Sequence, residues 1–217
     1  MPVLGLSSAT KVISIGLIDD QQVLVETMIS DIRAERVIFY IREAGIEPKQ
    51  IEGVAVAIGP GSYAGLRGGL TAAKSLAQTL KIPLVGVSTL EAMAYHLIDI
   101  EGTMAVILDA KADEYNFALF GAFQGELKRL TDDLVITKNT LSDRLSRISG
   151  DIWVVGSIKA IKDIKGIAGK KVPCHPSGVN VARLGQIRIK AGHKDDPLEL
   201  VPRYSHKPKF KTYKRKG

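Results

Sequence analysis

Cysteine is nearly absent from this chain of 217 residues, which contains only Cys174. A single cysteine excludes an internal disulfide and a cysteine-rich zinc site. The four histidines, His96, His175, His193 and His206, are scattered. No two of them have the i, i+4 spacing that places a pair of metal ligands on one helix face. The sequence therefore predicts no metal site.

Long hydrophobic runs are also missing. No apolar stretch reaches the roughly 20 residues that span a bilayer, and the N-terminus lacks the basic and apolar regions of a signal peptide. With 45% hydrophobic and 24% charged residues, the composition is that of an ordinary soluble protein. The length allows a sizeable core in one large domain or two small lobes. We expect a cytoplasmic protein without membrane association.

Negative charge is absent from the C-terminal end. Residues 203–217 contain seven of the 30 basic residues and no acidic one, which leaves 23 basic against 23 acidic residues elsewhere. Basic side chains displace counterions from a phosphate backbone, and the interleaved Tyr204, Phe210 and Tyr213 are of the type that stacks on unpaired bases. Nucleic-acid contact is therefore one hypothesis, and a solubilising terminus or a strap on a partner's acidic face is the other. The candidate nucleic-acid residues are Lys207, Lys209, Lys211, Lys214 and Arg215.

Strand and helix signals alternate in two similar runs. The first run predicts strands at residues 3–7, 12–18, 23–28, 54–58 and 83–87, and helices at 32–44 (with an N-cap at Ser30-Asp31), 65–80 and 90–98. The second predicts strands at residues 105–109, 115–123, 127–130, 152–155 and 171–173, and helices at 141–148, 158–164 and 179–191. This repetition predicts a duplicated α/β unit of three strands, helix, strand and helix, with a mixed sheet covered on both faces. The boundary between the two units falls near residues 101–103.

The most informative motif is Gly-Pro-Gly-Ser-Tyr-Ala-Gly-Leu-Arg-Gly-Gly at residues 59–69, between an apolar strand and a long helix. Glycine permits a sharp turn, a close backbone approach, or free N–H groups at a helix start. The motif lacks the Gly-Lys-Ser/Thr ending of a P-loop and the spacing of a dinucleotide fingerprint. It therefore predicts a strand-to-helix corner without establishing a phosphate site. The residues of this signature loop are Gly59, Pro60, Gly61, Ser62, Tyr63 and Gly65.

The helix after this corner has two distinct faces. Arg67, Thr71 and Lys74 begin a polar stripe at spacings of four and three residues. Gly65 and Gly69 lie on another face, where small residues allow a second backbone to come very near. That backbone belongs either to the same domain or to a partner, and the sequence leaves both readings open.

The signature loop, followed by Ala73-Lys74 and by Gly-Val-Ser-Thr-Leu-Glu-Ala at residues 86–92, resembles the signature of the bacterial TsaB family. Asp109-Ala110-Lys111 resembles a third block of that family. The family supplies a subunit of the complex that makes threonylcarbamoyladenosine beside the anticodon of tRNA. The resemblance implies a two-lobed actin-like, ribonuclease-H-like fold. Its lobes are expected at residues 1–102 and 103–202, followed by a basic tail at residues 203–217.

The same resemblance implies a role as a noncatalytic scaffold that binds and activates a TsaD-type catalytic subunit. The contact would use the helix after the corner and the helix before it. A TsaE-type ATPase, tRNA reached through the complex, and a second copy of the chain when it is alone are further expected partners. The catalytic relatives carry a paired-histidine metal motif that this chain lacks. The candidate interface residues are Arg33, Arg36, Tyr40, Arg67, Leu70, Thr71 and Lys74.

Nucleotide binding is the open alternative. Actin-like folds hold phosphates between two loops, each with an acidic residue. Asp109 stands in the second such place, whereas Ser7 and Ser8 stand where the first acid is expected. We therefore expect no cofactor beyond weak ATP or ADP binding at these three residues. A stand-alone ATPase or a peptidase-like relative is the alternative function, although Ser62 is not in a Gly-x-Ser-x-Gly elbow and no base is evident in sequence near Ser62 or Cys174.

Overall fold

The first of two β-sheets is built from the N-terminal part of the chain. The computed structural model describes residues 1–30, 33–111, 113–164 and 166–206. The first sheet has the strand order β3-β2-β1-β4-β5, in which β1 is antiparallel to β2 and parallel to β4. Its strands are β1 Pro2–Ser7, β2 Val12–Asp19, β3 Gln22–Ser30, β4 Gly53–Gly59 and β5 Leu84–Ser88.

The second sheet repeats this arrangement. Its order β8-β7-β6-β10-β11 matches β3-β2-β1-β4-β5 strand for strand, so the predicted duplication is confirmed. The additional strand β9 pairs with β7 and was not expected, because a four-residue apolar run is too short to show periodicity. The strands are β6 Gly102–Asp109, β7 Glu114–Phe123, β8 Glu126–Arg129, β9 Leu134–Thr137, β10 Ile152–Gly156 and β11 Lys170–Pro173.

Six α-helices accompany the sheets within the described residues, and none of these helices is long and apolar enough to cross a membrane. They are α1 Val37–Glu43, α2 Tyr63–Leu80, α3 Thr89–Ala94, α4 Lys138–Ser146, α5 Ile158–Asp163 and α6 Gly178–Lys190. Short 3-10 turns lie at Ala34–Arg36, Pro48–Gln50 and Tyr95–Leu97.

The first predicted helix is shorter than expected. Residues 32–44 were predicted as one helix with a cap at Ser30-Asp31, but Ser30 ends strand β3 and α1 begins only after the 3-10 turn. Asp31 and Ile32 lie outside the described residues. Gly45 follows the helix with a φ of 76°, a left-handed conformation that glycine adopts without strain.

Helix α6 packs on the first sheet, although the sequence places it in the second lobe at residues 103–202. Its first turn lies so near β1 and β2 that a Cβ on Gly5 would be 2.0 Å from the carbonyl oxygen of Gly178, and one on Gly16 would be 2.4 Å from the backbone nitrogen of Val179. Glycines on both sides therefore allow the close approach. Helical periodicity indicates that α6 has an apolar face but not which sheet receives it.

The remaining helices cover the other sheet faces. Helices α1 and α2 close the opposite face of the first sheet, where Leu6, Ile15 and Ala73 are buried together. Helices α4 and α5 cover one face of the second sheet. Its other face receives α3, whose Leu90 and Met93 are fully buried in a cluster with strands β6 and β7. The connection between the halves is therefore part of the second core.

Candidate functional site

The glycine corner packs against the β1–β2 loop of the same chain. Ser62 accepts a hydrogen bond from the backbone N–H of Gly65 at 3.4 Å and so caps helix α2. Its own N–H donates to the carbonyl oxygen of Ala9 at 2.7 Å. A Cβ on Gly65 would lie 2.0 Å from the carbonyl oxygen of Ser8. The small residues of this helix face therefore receive a backbone from their own lobe.

The two serines predicted for nucleotide binding are part of this packing. Ser7 and Ser8 are 1% and 2% exposed. The Ser8 hydroxyl donates to the carbonyl oxygen of Gly65 at 2.7 Å, so it already has a structural use. The Ser7 hydroxyl has no hydrogen-bond partner among the described residues.

Asp109, the third predicted nucleotide residue, is held within the second half of the chain. Its carboxylate accepts a hydrogen bond from the Ser157 hydroxyl at 2.6 Å and lies 3.4 Å from the Lys159 ammonium group. Ser157 in turn caps helix α5 by accepting from the N–H of Ala160 at 3.1 Å. Asp109, at the end of β6, therefore orients the Ser157 cap of helix α5. No hydrogen bond among the described residues links it to Ser7 or Ser8.

Neither metal chemistry nor a cysteine nucleophile has a built site in the described part of the chain. Within it, no group of three or more His, Cys, Asp or Glu side chains is arranged to hold a metal ion. Cys174 is buried, and burial raises the pKa of its thiol to about 12. A thiol with so high a pKa is almost entirely protonated at neutral pH and is a poor nucleophile.

The polar stripe of helix α2 faces solvent, as its spacing predicts. Arg67 and Thr71 are exposed and Lys74 is half-buried. Two other residues predicted for this surface lie in the core beneath it, because Leu70 is 4% and Tyr40 is 7% exposed. Those two residues support the surface and leave little side chain for a partner to contact.

A first cation–aromatic cluster lies at helix α1. The guanidinium carbon of Arg36 is 4.7 Å from the centre of the Phe39 ring and 5.2 Å from that of Tyr40. The two rings meet edge to face, with centroids 5.8 Å apart. Phe39 and Ile38 remain 44% and 45% exposed, so apolar surface is available on α1, and Arg33 is exposed as well. Ile38 was not among the predicted interface residues.

A second cation–aromatic cluster lies at the start of helix α2 and includes a residue from the far end of the chain. The rings of Tyr63 and Tyr204 are stacked with centroids 4.7 Å apart. The guanidinium carbon of Arg67 lies 4.0 Å from the centre of the Tyr63 ring, and its Nε donates to the Tyr204 hydroxyl at 2.9 Å. This hydrogen bond is the main cause that raises the pKa of Arg67 above its ordinary value.

Tyr204 thus has a place that sequence reasoning missed. The aromatic residues of the tail suggested base stacking, but this one lies against a protein helix. The predicted nucleic-acid residues Lys207, Lys209, Lys211, Lys214 and Arg215 lie outside the described residues.

Three comparisons show which known proteins the chain is similar to. The family model described as TsaD, tRNA N6-adenosine threonylcarbamoyltransferase, matches residues 34–156, which include both α1 and α2. The chain is 26% identical to the tRNA threonylcarbamoyladenosine biosynthesis protein TsaB of Bacillus subtilis over 94% of this chain and 93% of that protein. It is 27% identical to the TsaB of Escherichia coli over 72% of this chain and 71% of that one.

Solved structures agree on the fold. YeaZ from Pseudomonas aeruginosa superimposes with a TM-score of 0.78 over 94% of this chain and 99% of that one, at 20% sequence identity. This likeness confirms the predicted two-lobed actin-like fold.

Catalytic relatives match over a shorter part. The tRNA N6-adenosine threonylcarbamoyltransferase of Syntrophus aciditrophicus is 40% identical over 36% of this chain and 20% of its own length.

Proposed function

The chain belongs to the bacterial TsaB family, and we propose on this premise that it is a noncatalytic subunit that binds and activates a TsaD-type catalytic subunit. Its role lies in tRNA threonylcarbamoyladenosine biosynthesis. Activation here means that the chain binds the productive conformation of the catalytic subunit better than other conformations, and so increases the population of that state.

The observation that carries the proposal is the exposed surface of helices α1 and α2. It combines the cations Arg36, Arg67 and Lys74 with the exposed side chains of Phe39 and Tyr63. Arginine and aromatic residues are enriched in the cores of protein interfaces, where they account for much of the binding energy.

The surroundings of the alternative site support the noncatalytic part of the proposal. A nucleotide-hydrolysing relative needs polar groups from both phosphate loops. Here the Ser8 hydroxyl donates to a helix carbonyl, while Asp109 accepts from Ser157. The Cys174 thiol, with its raised pKa, is not an activated nucleophile. The chemistry would therefore belong to the catalytic subunit.

The test is to mix the chain with a purified TsaD-type catalytic subunit and to measure the mass of the product by light scattering coupled to size exclusion. We expect a one-to-one complex. The double variant Arg67→Glu/Lys74→Glu should bind about 30-fold or more weakly, because loss of a well-placed interface residue typically costs about 2 kcal/mol or more.

A matched charge reversal on the other half of the chain serves as the control. Arg147→Glu/Lys162→Glu changes the same number of charges at exposed positions beside α4 and within α5. This control should bind the catalytic subunit as the wild type does. Equal binding by both double variants would contradict the proposed interface. A stable homodimer with no affinity for the catalytic subunit would contradict the proposed function.

A further inference from the structure

The C-terminal segment at residues 194–206, here termed the strap, runs along the free edge of β5 and then past the end of β4. The N–H of Asp195 donates to the carbonyl oxygen of Leu84 at 2.8 Å, and its carboxylate accepts from the N–H of Gly86 at 2.8 Å. Leu200 packs against the first core. The strap therefore adds hydrogen bonds along the free edge of β5.

The strap then crosses the glycine corner. The N–H of Arg203 donates to the carbonyl oxygen of Ile58 at 2.7 Å. Gly59 has a φ of 126°, and a Cβ at this position would lie 2.2 Å from the carbonyl oxygen of Arg203. The first glycine of the signature loop thus accommodates both an unusual turn and the passing strap. The strap is part of the folded corner rather than a loosely attached end.

This anchoring places Tyr204 on the start of helix α2. The stacked Tyr63 and Tyr204 rings and the Arg67 guanidinium form one continuous surface, in which Tyr63 is 39% exposed and Tyr204 is half-buried. Beyond Tyr204, the His206 imidazole lies 3.4 Å from the Glu114 carboxylate at the start of β7. The strap therefore contacts both halves of the chain on either side of Tyr204.

We propose that Tyr204 is a partner-contacting residue, and that the strap is a third element of the surface formed by α1 and α2. The proposal rests on the proposed function, since the partner is the catalytic transferase subunit. The occupant is a surface of that subunit that carries carboxylates. It fits the cations Arg36, Arg67 and Lys74 along this surface.

The hydrogen-bonding capacity of Arg67 supports a carboxylate at this place. A guanidinium has five N–H donors, and Nε is the one that donates to Tyr204. The two terminal nitrogens retain the fork geometry that matches a carboxylate. Tyr204 holds the fork in position before the partner arrives, which lowers the conformational entropy lost on binding.

Two features favour a fixed strap over one that the partner displaces. Displacement would break the hydrogen bond from Arg203 to Ile58 and the two bonds between Asp195 and β5. It would also separate the stacked rings and expose the apolar contact of Leu200. A partner that binds beside Tyr204 gains this surface without those losses.

The test compares the affinity of the full chain and its variants for a purified TsaD-type catalytic subunit by isothermal titration calorimetry. Tyr204→Ala should weaken binding about 10-fold or more, as expected for an aromatic interface residue. Tyr204→Phe keeps the ring and should lose about 3-fold, since it removes only the hydroxyl that orients Arg67. Phe123→Ala, which truncates a 62% exposed aromatic residue at the end of β7, should bind as the wild type does.

A second readout separates contact from a purely structural role. Hydroxyl-radical oxidation of Tyr204 should decrease when the catalytic subunit binds, because the partner covers the ring. Unchanged affinity of Tyr204→Ala, tighter binding by it, or greater oxidation of Tyr204 in the complex would each overturn the proposal. Loss of tRNA affinity with unchanged affinity for the catalytic subunit would overturn it as well.

The two proposals fail in different ways. If the wild-type chain does not bind the catalytic subunit, the proposed function itself is wrong. If the wild type binds and Arg67→Glu/Lys74→Glu does not, while Tyr204→Ala binds like the wild type, then the interface on α2 stands and the role of Tyr204 is wrong.

Discussion

The end of β1 with the β1–β2 loop and the end of β6 with the β6–β7 loop occupy the same place in the two copies of the duplicated unit, yet their side chains serve different purposes. In each copy the first strand ends beside the helix that follows its parallel neighbour. In the first copy, Ser8 is 2% exposed and donates to helix α2. In the second, the side chain of Asp109 is 27% exposed and interacts with the Ser157 cap of α5 and with Lys159.

The helices beside these two loops, α2 and α5, also differ. Helix α2 has 18 residues and carries the exposed cation–aromatic surface, whereas α5 has 6 residues. The first loop packs on the glycine corner at Gly61 and directly on α2 at Gly65 and Gly69. In this chain, the β1–β2 loop therefore braces a long helix. A duplicated fold can therefore use one copy of a loop for structural support while the other copy remains polar and partly exposed.

The largest expected effect comes from breaking the first loop's contact with α2. Gly65→Ala places a methyl group 2.0 Å from the carbonyl oxygen of Ser8, so the backbone of the loop or the helix must move. We expect the free energy of unfolding to fall by about 3 kcal/mol, at the upper end of typical overpacking costs. Chemical denaturation measures this change.

The control for this substitution is Gly166→Ala. A Cβ on Gly166 would meet nothing within 4 Å, so the same chemical change should leave the unfolding midpoint almost unaltered. Should Gly65→Ala unfold at the wild-type denaturant concentration, the close packing of the first loop on α2 would be wrong.

Removing the serine cap of each helix should give a smaller difference in the free energy of unfolding between the two copies. Ser157 is 9% exposed and both caps α5 and donates to Asp109 at 2.6 Å, so Ser157→Ala should cost about 2 kcal/mol. Ser62 is exposed and its capping bond is longer, at 3.4 Å, so Ser62→Ala should cost about 0.5 kcal/mol. Urea titrations of both variants test this order. A larger loss for Ser62→Ala would reverse the comparison.

Much of this architecture is predictable from sequence because it depends on local pattern. Apolar strands and helical stripes are short-range signals, and they indicate both copies of the unit with end errors of a few residues. The polar stripe of α2 likewise predicts the exposure of Arg67 and Thr71, which the structure shows.

The rest depends on contacts between residues that are distant in sequence. Ser8 and Gly65 are 57 positions apart, and Arg67 and Tyr204 are 137 positions apart, so no local pattern reveals either hydrogen bond. Leu70 lies on α2, whose polar stripe is exposed as predicted, and Tyr40 lies on α1, but the side chains of both point into the core. The sequence therefore predicts the surface in outline, and the fold determines which side chains form it.

The pH dependence of stability tests whether the two copies unfold together. Burial raises the pKa of Cys174 to about 12 in the folded state, while the thiol ionises near pH 9 when the chain unfolds. The unfolded state therefore binds fewer protons above pH 9, and the free energy of unfolding falls as the pH rises. Between pH 8 and pH 10 this group should remove about 1.4 kcal/mol. Burial also raises the pKa of Tyr115, which acts in the same direction, so the difference in slope between the wild type and Cys174→Ala isolates the thiol.

Two spectroscopic probes show whether the two copies lose this stability together. Trp153 in β10 is the single tryptophan of the chain and reports on the second copy, whereas circular dichroism is dominated by the longer helices α2 and α6 on the first sheet. Helix α3 follows a strand of the first sheet yet packs in the cluster that contains Cys174, and α6 returns from the second copy to the first sheet. Because each half of the chain contributes a helix to the core of the other half, we expect both probes to show the same thiol-dependent slope of the free energy of unfolding against pH. A slope seen by Trp153 fluorescence alone would mean that the copies unfold separately, and the loss of stability in Gly65→Ala would then be confined to the first copy.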